Sequence, residues 1–185
     1  MALKSIIYKA SINISDVNRH VYQDVNLRLA RHPSETEERM MMRLLAFIAN
    51  FSTSLSFAKG LSCDDEPDVW QKGLSGDIEL WIDVGLPSFD RLRKASHRTS
   101  CHKLYVYGEE KNVKPWWSKV SVDVSRLTKL EVFRIDPKHS HALANLASSH
   151  MNIQVLIDDN EMFWSVEEES LNITLTAIKT ADNST

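Results

Sequence analysis

The strongest constraint on the fold is a strand-like segment that runs directly into a basic helix. The segment spans residues 76–95, GDIELWIDVGLPSFDRLRKA. Its first half alternates between apolar and other residues, which predicts a strand at 77–84 with Glu79 and Asp83 on the same face. Gly85 and the three residues after it predict a turn, and residues 88–99 predict a helix that is rich in Arg and Lys, with Ser88 as its N-cap. Such a junction suits metal-assisted phosphodiester chemistry, but it also suits a partly buried network of salt bridges.

This segment opens a crossover unit, which predicts parallel strand pairing. Another strand is predicted at 102–108, so a strand, a helix and a strand follow one another within about thirty residues. Residues 111–123 predict a short helix that carries Trp116 and Trp117, with Pro115 in its first turn. A strand at 129–135 and a helix at 136–148 form a second unit of the same kind.

The two ends of the chain predict antiparallel hairpins. Residues 3–14 and 20–31 form one hairpin, in which a change of register near residues 23–24 indicates a bulge. Strands at 151–158, 161–166 and 170–178 follow the last helix. The sequence therefore predicts an α/β fold of seven to nine strands and three or four helices. It has a mixed sheet with a parallel αβαβ centre and antiparallel edge hairpins.

An acidic helix is predicted from residue 35 to about 53. Ser34 and Glu37 have the spacing of a capping box, and the other acidic residues of the first turn complement the helix dipole. Either Glu37 or Glu38 turns inward, and the spacing of the apolar residues leaves that choice open. Residues 56–75 predict a loop or a short irregular strand that contains an acidic run, residues 64–68, followed by Trp70.

Length and composition predict one domain, residues 1–180, with a frayed tail at 181–185. The chain has 185 residues, of which 43% are hydrophobic and 25% charged, enough for a sizeable core. A net charge of −3 disfavours binding of nucleic acid through phosphate contacts alone but permits a local basic groove. Cys63 and Cys101 lack the spacing of a zinc site and predict free thiols in a reducing compartment. No segment predicts a signal peptide or a membrane span, so we expect a cytoplasmic protein without membrane contact.

The order of these elements resembles that of the PD-(D/E)xK nuclease superfamily. There, a first helix carries a Glu, a Pro-Asp pair opens the site, and a later strand ends in an acid-x-Lys motif. Here Pro67-Asp68 would supply the first acid, Asp83 the strand acid, and Glu37 or Glu38 the helix acid. Gly85 stands where the lysine is expected, so the resemblance implies that Arg93 or Lys94, on the following helix, takes its place.

More closely, and over almost its whole length, the chain resembles the YaeQ family of bacterial proteins. Three segments carry the resemblance: RHPSETEERM at 31–40, EPDVW at 66–70, and ELWIDVG at 79–85 with the basic residues of 91–94. The resemblance implies a restriction-endonuclease-like fold and a cytoplasmic location, and the family has no secure activity.

The candidate site residues are the acids of these segments and the cations beside them. Asp68 and Asp83 could hold one Mg²⁺ or Mn²⁺ ion, because both ions prefer carboxylate oxygens and waters. Glu79 or the helix acid, Glu38 or Glu37, would orient a water. Arg93 or Lys94 would stabilise the charge that develops on a phosphodiester.

Each of these residues also has a purely structural interpretation: Asp68 as a turn cap, Asp83 in an ion pair with Arg93 or Lys94, and Glu79 as a polar strand residue. Two functional hypotheses follow. The chain is a metal-dependent phosphodiesterase that acts on nucleic acid, or it is an inactive nuclease-fold protein that binds nucleic acid or a protein partner through the same cleft.

Overall fold

The structure is a computed structural model, and it describes residues 5–58 and 65–182. The chain divides into two compact units, one formed by Met1–Leu44 with Lys138–Leu175 and the other by Leu45–Pro137 with Thr176–Thr185. We call them the first and the second unit. The elements, in chain order, are β1 (Ile6–Asp16), β2 (Val21–Arg31), α1 (Glu37–Ala49), β3 (Leu55–Phe57), β4 (Val69–Lys72), β5 (Ile78–Val84), α2 (Phe89–Arg98), β6 (Thr99–Val106), α3 (Glu110–Val124), β7 (Leu130–Arg134), α4 (Pro137–Asn145), β8 (His150–Asp158), β9 (Glu161–Val166), β10 (Glu169–Thr174) and β11 (Thr176–Lys179).

The sheet of the first unit has the strand order β10-β9-β8-β1-β2. Only β1 and β8 pair in parallel, and the other neighbours are antiparallel. Along β1 and β8 every second residue is buried, so one face carries the apolar side chains and the other is polar and exposed. Arg43 on α1 donates to the Ala30 carbonyl oxygen (3.1 Å), which ties the helix to β2.

The sheet of the second unit has the order β11-β7-β6-β5-β4-β3. Its centre, β5-β6-β7, is parallel and is connected by α2 and α3, which confirms the predicted αβαβ centre. Leu92 of α2 and Val113, Val120 and Val124 of α3 are buried with side chains of β6 and β7 in one apolar cluster. The last four residues of β5, from Trp81 to Val84, are all buried, as expected for a central strand covered on both faces.

The predicted mixed α/β class is confirmed, but the strands belong to two sheets instead of one. The alternation at 170–178 predicts a single last strand. In the structure it is divided into β10, in the first sheet, and β11, in the second. Side-chain alternation continues across Leu175, so the pattern carries no sign that the chain changes sheets there. The segment at 56–75, predicted as a loop or a short irregular strand, contains β4 and all of β3 except Leu55, and these two strands pair with each other.

Two local predictions are wrong. The ladder of β1 and β2 runs in unbroken register from Ile6 to Asp16, so there is no bulge near residues 23–24. Helix α1 is capped by Thr36, whose Oγ1 accepts from the Arg39 amide (3.1 Å), while Glu37 accepts from the Tyr8 hydroxyl (2.8 Å). The capping-box spacing predicted that the Glu37 carboxylate caps the helix start, but in the structure this carboxylate contacts β1.

The predicted single domain, 1–180, stays a prediction. Of the predicted tail, only residues 181 and 182 lie within the described residues. Of the acidic run at 64–68, residues 65–68 lie within them. Cys63 lies outside them. Cys101 is a free thiol, as predicted, and burial raises its pKa.

Candidate functional site

Asp83, the acid near the end of the predicted strand at 77–84, lies at the end of β5 beside the first turns of α2. Its side chain is 1% exposed, and it is therefore almost completely removed from water. Both carboxylate oxygens receive nitrogen donors from the protein. Arg91 on α2 reaches Oδ1 through Nε (3.2 Å) and through Nη2 (2.7 Å).

The second oxygen of Asp83, Oδ2, is also fully engaged. The indole N–H of Trp81 donates to it (2.9 Å), and Nε2 of His102 on β6 lies 3.2 Å away. Because a carboxylate oxygen can only accept, Nε2 of His102 carries a proton here. An ionised carboxylate offers about four lone-pair sites. Two contacts from Arg91, one from Trp81 and one from His102 occupy all of them.

Electrostatics keep Asp83 ionised despite its burial. Burial alone would raise the pKa of its carboxyl group, but the hydrogen bond from His102 and the positive charge of Arg91 outweigh that effect. The pKa of Asp83 therefore lies below its ordinary value. The buried carboxylate is a fixed negative charge that holds the guanidinium of α2.

A Ser-His-Asp chain continues from this carboxylate into the protein. Ser96 Oγ lies 2.8 Å from Nδ1 of His102, and the serine is 7% and the histidine 0% exposed. A hydrolytic triad needs its serine at a surface that substrate can reach, whereas Ser96 is buried on the inner side of α2. The chain of hydrogen bonds therefore fixes α2 and β6 relative to β5 and does not form a nucleophile.

Asp68 lies beside Asp83 but faces a different donor. It directly precedes β4, and its Oδ2 accepts from the backbone amide of Val84 at the end of β5 (2.8 Å). The Asp68 amide in turn donates to the Ile82 carbonyl oxygen (3.0 Å). Asp68 thus prolongs the pairing of β4 and β5 with its side chain, and it is 6% exposed.

The other predicted residues of the second unit lie apart from this pair of acids. Glu79 is exposed and accepts from the Gln71 amide group (2.7 Å). At the rise of a strand it is about 13 Å along β5 from Asp83. Arg93 is exposed and pairs with Asp90 (3.2 Å), and Lys94 is exposed on the same outer side of α2. The cation that contacts Asp83 is Arg91.

Glu38 belongs to the first unit. It accepts from the Ser140 hydroxyl on α4 (2.6 Å), and His141 Nε2 lies 3.7 Å from the same oxygen. Glu37, the alternative helix acid, is exposed and holds the Tyr8 hydroxyl. The participation of Glu38 in one site with Asp68 and Asp83 stays a prediction.

Gly85, which stands at the position of the expected lysine, is required by its backbone. Its φ is +102°, a conformation that side chains with a Cβ rarely adopt. Its amide donates to the Tyr105 carbonyl oxygen (2.9 Å), so the turn after β5 is fixed by pairing to β6. A lysine here would strain the backbone.

The donors and acceptors of this site fit a divalent ion poorly. Every lone-pair site of Asp83 already faces an N–H group, and an ion would have to displace at least one of them. Within residues 5–58 and 65–182, no three His, Cys, Asp or Glu side chains are placed together so as to hold a metal. The holding of Mg²⁺ or Mn²⁺ by Asp68 and Asp83 stays a prediction.

Sequence reasoning missed the residues that saturate Asp83: Arg91, His102 and the indole N–H of Trp81. One signal for His102 was available, because parallel pairing of β5 with β6 places it opposite Trp81, two residues from Asp83. Arg91 lies one turn before the buried Ala95, which indicates that it borders the inner side of α2.

Comparison with known proteins places this chain in one family. The family model described as "YaeQ protein" matches residues 1–175. Proteins described as "Uncharacterized protein YaeQ" from Salmonella typhi and Escherichia coli K12 are 39% and 37% identical over 177 residues, covering 96% of this chain and 97% of each relative.

Two crystal structures of YaeQ proteins have the same fold. The one from Xanthomonas axonopodis pv. citri has a TM-score of 0.91 at 37% identity, over 96% of this chain and 99% of that one. The one from Pseudomonas syringae has a TM-score of 0.90 at 34% identity, over 95% and 97%. Within its described part, this chain contains no helix that is long and apolar enough to cross a membrane.

Proposed function

The chain belongs to the YaeQ family, and we propose that it is a non-hydrolytic, nuclease-like protein that binds the phosphate backbone of nucleic acid through α2. One observation carries this proposal: all the lone pairs of Asp83 are taken by protein N–H groups. The acid that would hold a catalytic ion is instead used to anchor α2 through Arg91. The nuclease-like assignment itself rests on the order of β4, β5, α2 and β6, with one acid before β4 and one at the end of β5.

The anchored helix presents its remaining cations to solvent. Arg93 and Lys94 are exposed and adjacent in the helix, and both lie on its outer side. The ion pair between Arg93 and Asp90 is exposed at both partners (53% and 75%), so it is worth little and a phosphate can replace it. A chain with a net charge of −3 can bind a polyanion only through such a local patch.

Fluorescence anisotropy with short single-stranded and double-stranded DNA and RNA tests the proposal, in EDTA and between about 50 and about 200 mM KCl. Loss of two phosphate contacts in Arg93→Ala/Lys94→Ala should make the negative slope of log K against log salt shallower by roughly 1.8 for duplex DNA. The matched control is Lys111→Ala/Lys114→Ala, which removes two exposed lysines from α3. Absence of binding, or an equal loss in both variants, would refute the proposal.

The competing function is the metal-dependent phosphodiesterase, with Mg²⁺ or Mn²⁺ held by Asp68 and Asp83. One observation favours it: the carboxylate of Asp68 reaches the amide of the residue that follows Asp83, so the two acids lie side by side. Incubation of the same oligonucleotides with Mg²⁺ and with Mn²⁺ decides between the two functions. Metal-dependent cleavage that disappears in Asp83→Ala, while Arg93→Ala still cleaves, would replace the binding proposal with this one.

A further inference from the structure

Strand β2 lies at one edge of the sheet in the first unit. Within the described part of the chain it pairs only with β1, so its other edge is open. It has 11 residues, more than the roughly 3–10 that are usual for a strand, and its ladder with β1 contains no bulge. An open edge carries backbone N–H and C=O groups that can pair with a strand of another chain.

The strand also lacks features that protect such an edge. Its sequence, VYQDVNLRLAR, contains no proline, and none of the side chains that point to the core between residues 21 and 29 is charged. These inward side chains are Val21, Gln23, Val25, Leu27 and Leu29. Only Leu29 is buried, whereas every inward side chain of β1 from Tyr8 to Asp16 is buried. The inward row of β2 is therefore only partly covered, and a strand that pairs with the open edge would bury more of it.

Two outward side chains of β2 have opposite charges. Asp24 accepts from Asn13 through Oδ1 (2.8 Å), and its Oδ2 has no hydrogen-bond donor among the described residues. Arg28 is exposed and forms neither a hydrogen bond nor an ion pair with a described residue. Lys9, directly opposite Arg28 on β1, has the same charge. Asp24 and Arg28 lie about 13 Å apart along the strand, so each can take a charged partner from a strand on the open side.

A second copy of the chain matches these charges. When two copies of β2 pair antiparallel over their full length, Asn26, the middle residue, lies opposite Asn26 of the other copy. The same register places Asp24 of each copy opposite Arg28 of the other, so two ion pairs form across the twofold axis. It also places Val25 opposite Leu27 on the inner face. No other antiparallel register places Asp24 opposite Arg28, so the longest pairing and the best match of charges coincide.

From these features we infer that the chain forms a twofold-symmetric dimer through antiparallel pairing of β2 with β2 of a second copy. The pairing extends over residues 23–29, because the carbonyl oxygen of Ala30 already accepts from Arg43. The dimer joins the five-stranded sheets of the two first units into one continuous sheet. This interface belongs to the first unit, and it goes beyond the nucleic-acid binding proposed for α2.

Sedimentation equilibrium of the full chain, at about 1–100 μM protein, tests the dimer. We expect the wild-type protein to associate reversibly to a dimer and no further. Asp24→Arg and Arg28→Asp each place like charges opposite each other at both pairs, so each should weaken the dimer about tenfold or more. An equimolar mixture of the two variants should regain the wild-type affinity, because every pair in the mixed dimer again joins a carboxylate to a guanidinium.

The matched control is Glu169→Arg, which reverses an exposed charge on β10, at the other edge of the same sheet, and should leave the association unchanged. Circular dichroism reports whether each variant is folded. A wild-type protein that stays monomeric over the whole concentration range overturns the inference. So does a dimer that neither β2 variant weakens, one that Glu169→Arg weakens equally, or a mixture of the two β2 variants that fails to associate.

Discussion

Replacement of Asp83 by Asn tests whether this carboxylate anchors α2 or is kept to bind a ligand. The two side chains have nearly the same shape, so the substitution removes the charge without opening a cavity. The amide oxygen can still accept from Trp81 and His102, but its nitrogen then faces the guanidinium of Arg91, donor against donor.

The expected loss follows from these contacts. Two charge-assisted hydrogen bonds from Arg91 disappear, and each such bond contributes about 1.5–3 kcal/mol. Removal of one partner of a fully buried pair costs about 3–5 kcal/mol. Arg91 is 25% exposed, so water can solvate part of the abandoned charge, and we expect a decrease of about 2–4 kcal/mol in the free energy of unfolding.

Urea denaturation followed by circular dichroism measures this change, because a lower midpoint at constant m-value reports a loss of stability. Asp90→Asn is the matched control: its ion pair with Arg93 is exposed, and its loss should change stability by no more than about 1 kcal/mol. The folded-state pKa of Asp83 is depressed, so its stabilisation is complete above the unfolded value of about 3.9. It is lost as the pH falls through the folded-state pKa. The difference between the wild-type protein and Asp83→Asn should therefore shrink below about pH 4.

A variant as stable as the wild type, or more stable, would refute this reasoning. A carboxylate kept for a ligand is often held at a cost to stability, and its neutralisation relieves that cost. Such a result would favour the metal-dependent phosphodiesterase over the anchored binding protein.

Three further predictions concern other positions. Glu35→Gln should destabilise the protein by about 3–5 kcal/mol in urea denaturation, because it leaves the buried Arg43 without its counter-charge; an unchanged midpoint would contradict this. Gly85→Ala should cost about 1–3 kcal/mol in the same assay because of the φ of +102°, although the added Cβ would meet only Cε1 of Tyr107, at 4.0 Å; a neutral effect would mean that the turn relaxes. Burial raises the pKa of Cys101, so at pH 8 its thiol should react with iodoacetamide more slowly than free N-acetylcysteine does. Mass spectrometry of a Cys63→Ser variant measures the rate. Equal rates would show that the thiol is not shielded.

Local patterns in the sequence were sufficient for the class of fold and for its parallel centre. Alternation at 77–84, Ser88 as the N-cap of α2 and the short crossover determined β5, α2 and β6, because strand period, helix capping and chain reach are local properties. The same is true of the hairpin of β8 and β9. The resemblance added the expectation of acids before β4 and at the end of β5. In the structure, the Asp68 carboxylate accepts from the amide of Val84, the residue after Asp83.

Tertiary structure alone decided what those acids do. Which cation meets Asp83 depends on how α2 is rotated against β5, and this rotation selected Arg91 over Arg93 and Lys94. Pairing of β6 beside β5 brought in His102. The change of sheet between β10 and β11 also left no trace in the alternation. Burial and partner identity arise from segments distant in the chain. A sequence pattern can therefore place a carboxylate at a strand end, but it cannot say whether an ion or an arginine neutralises it.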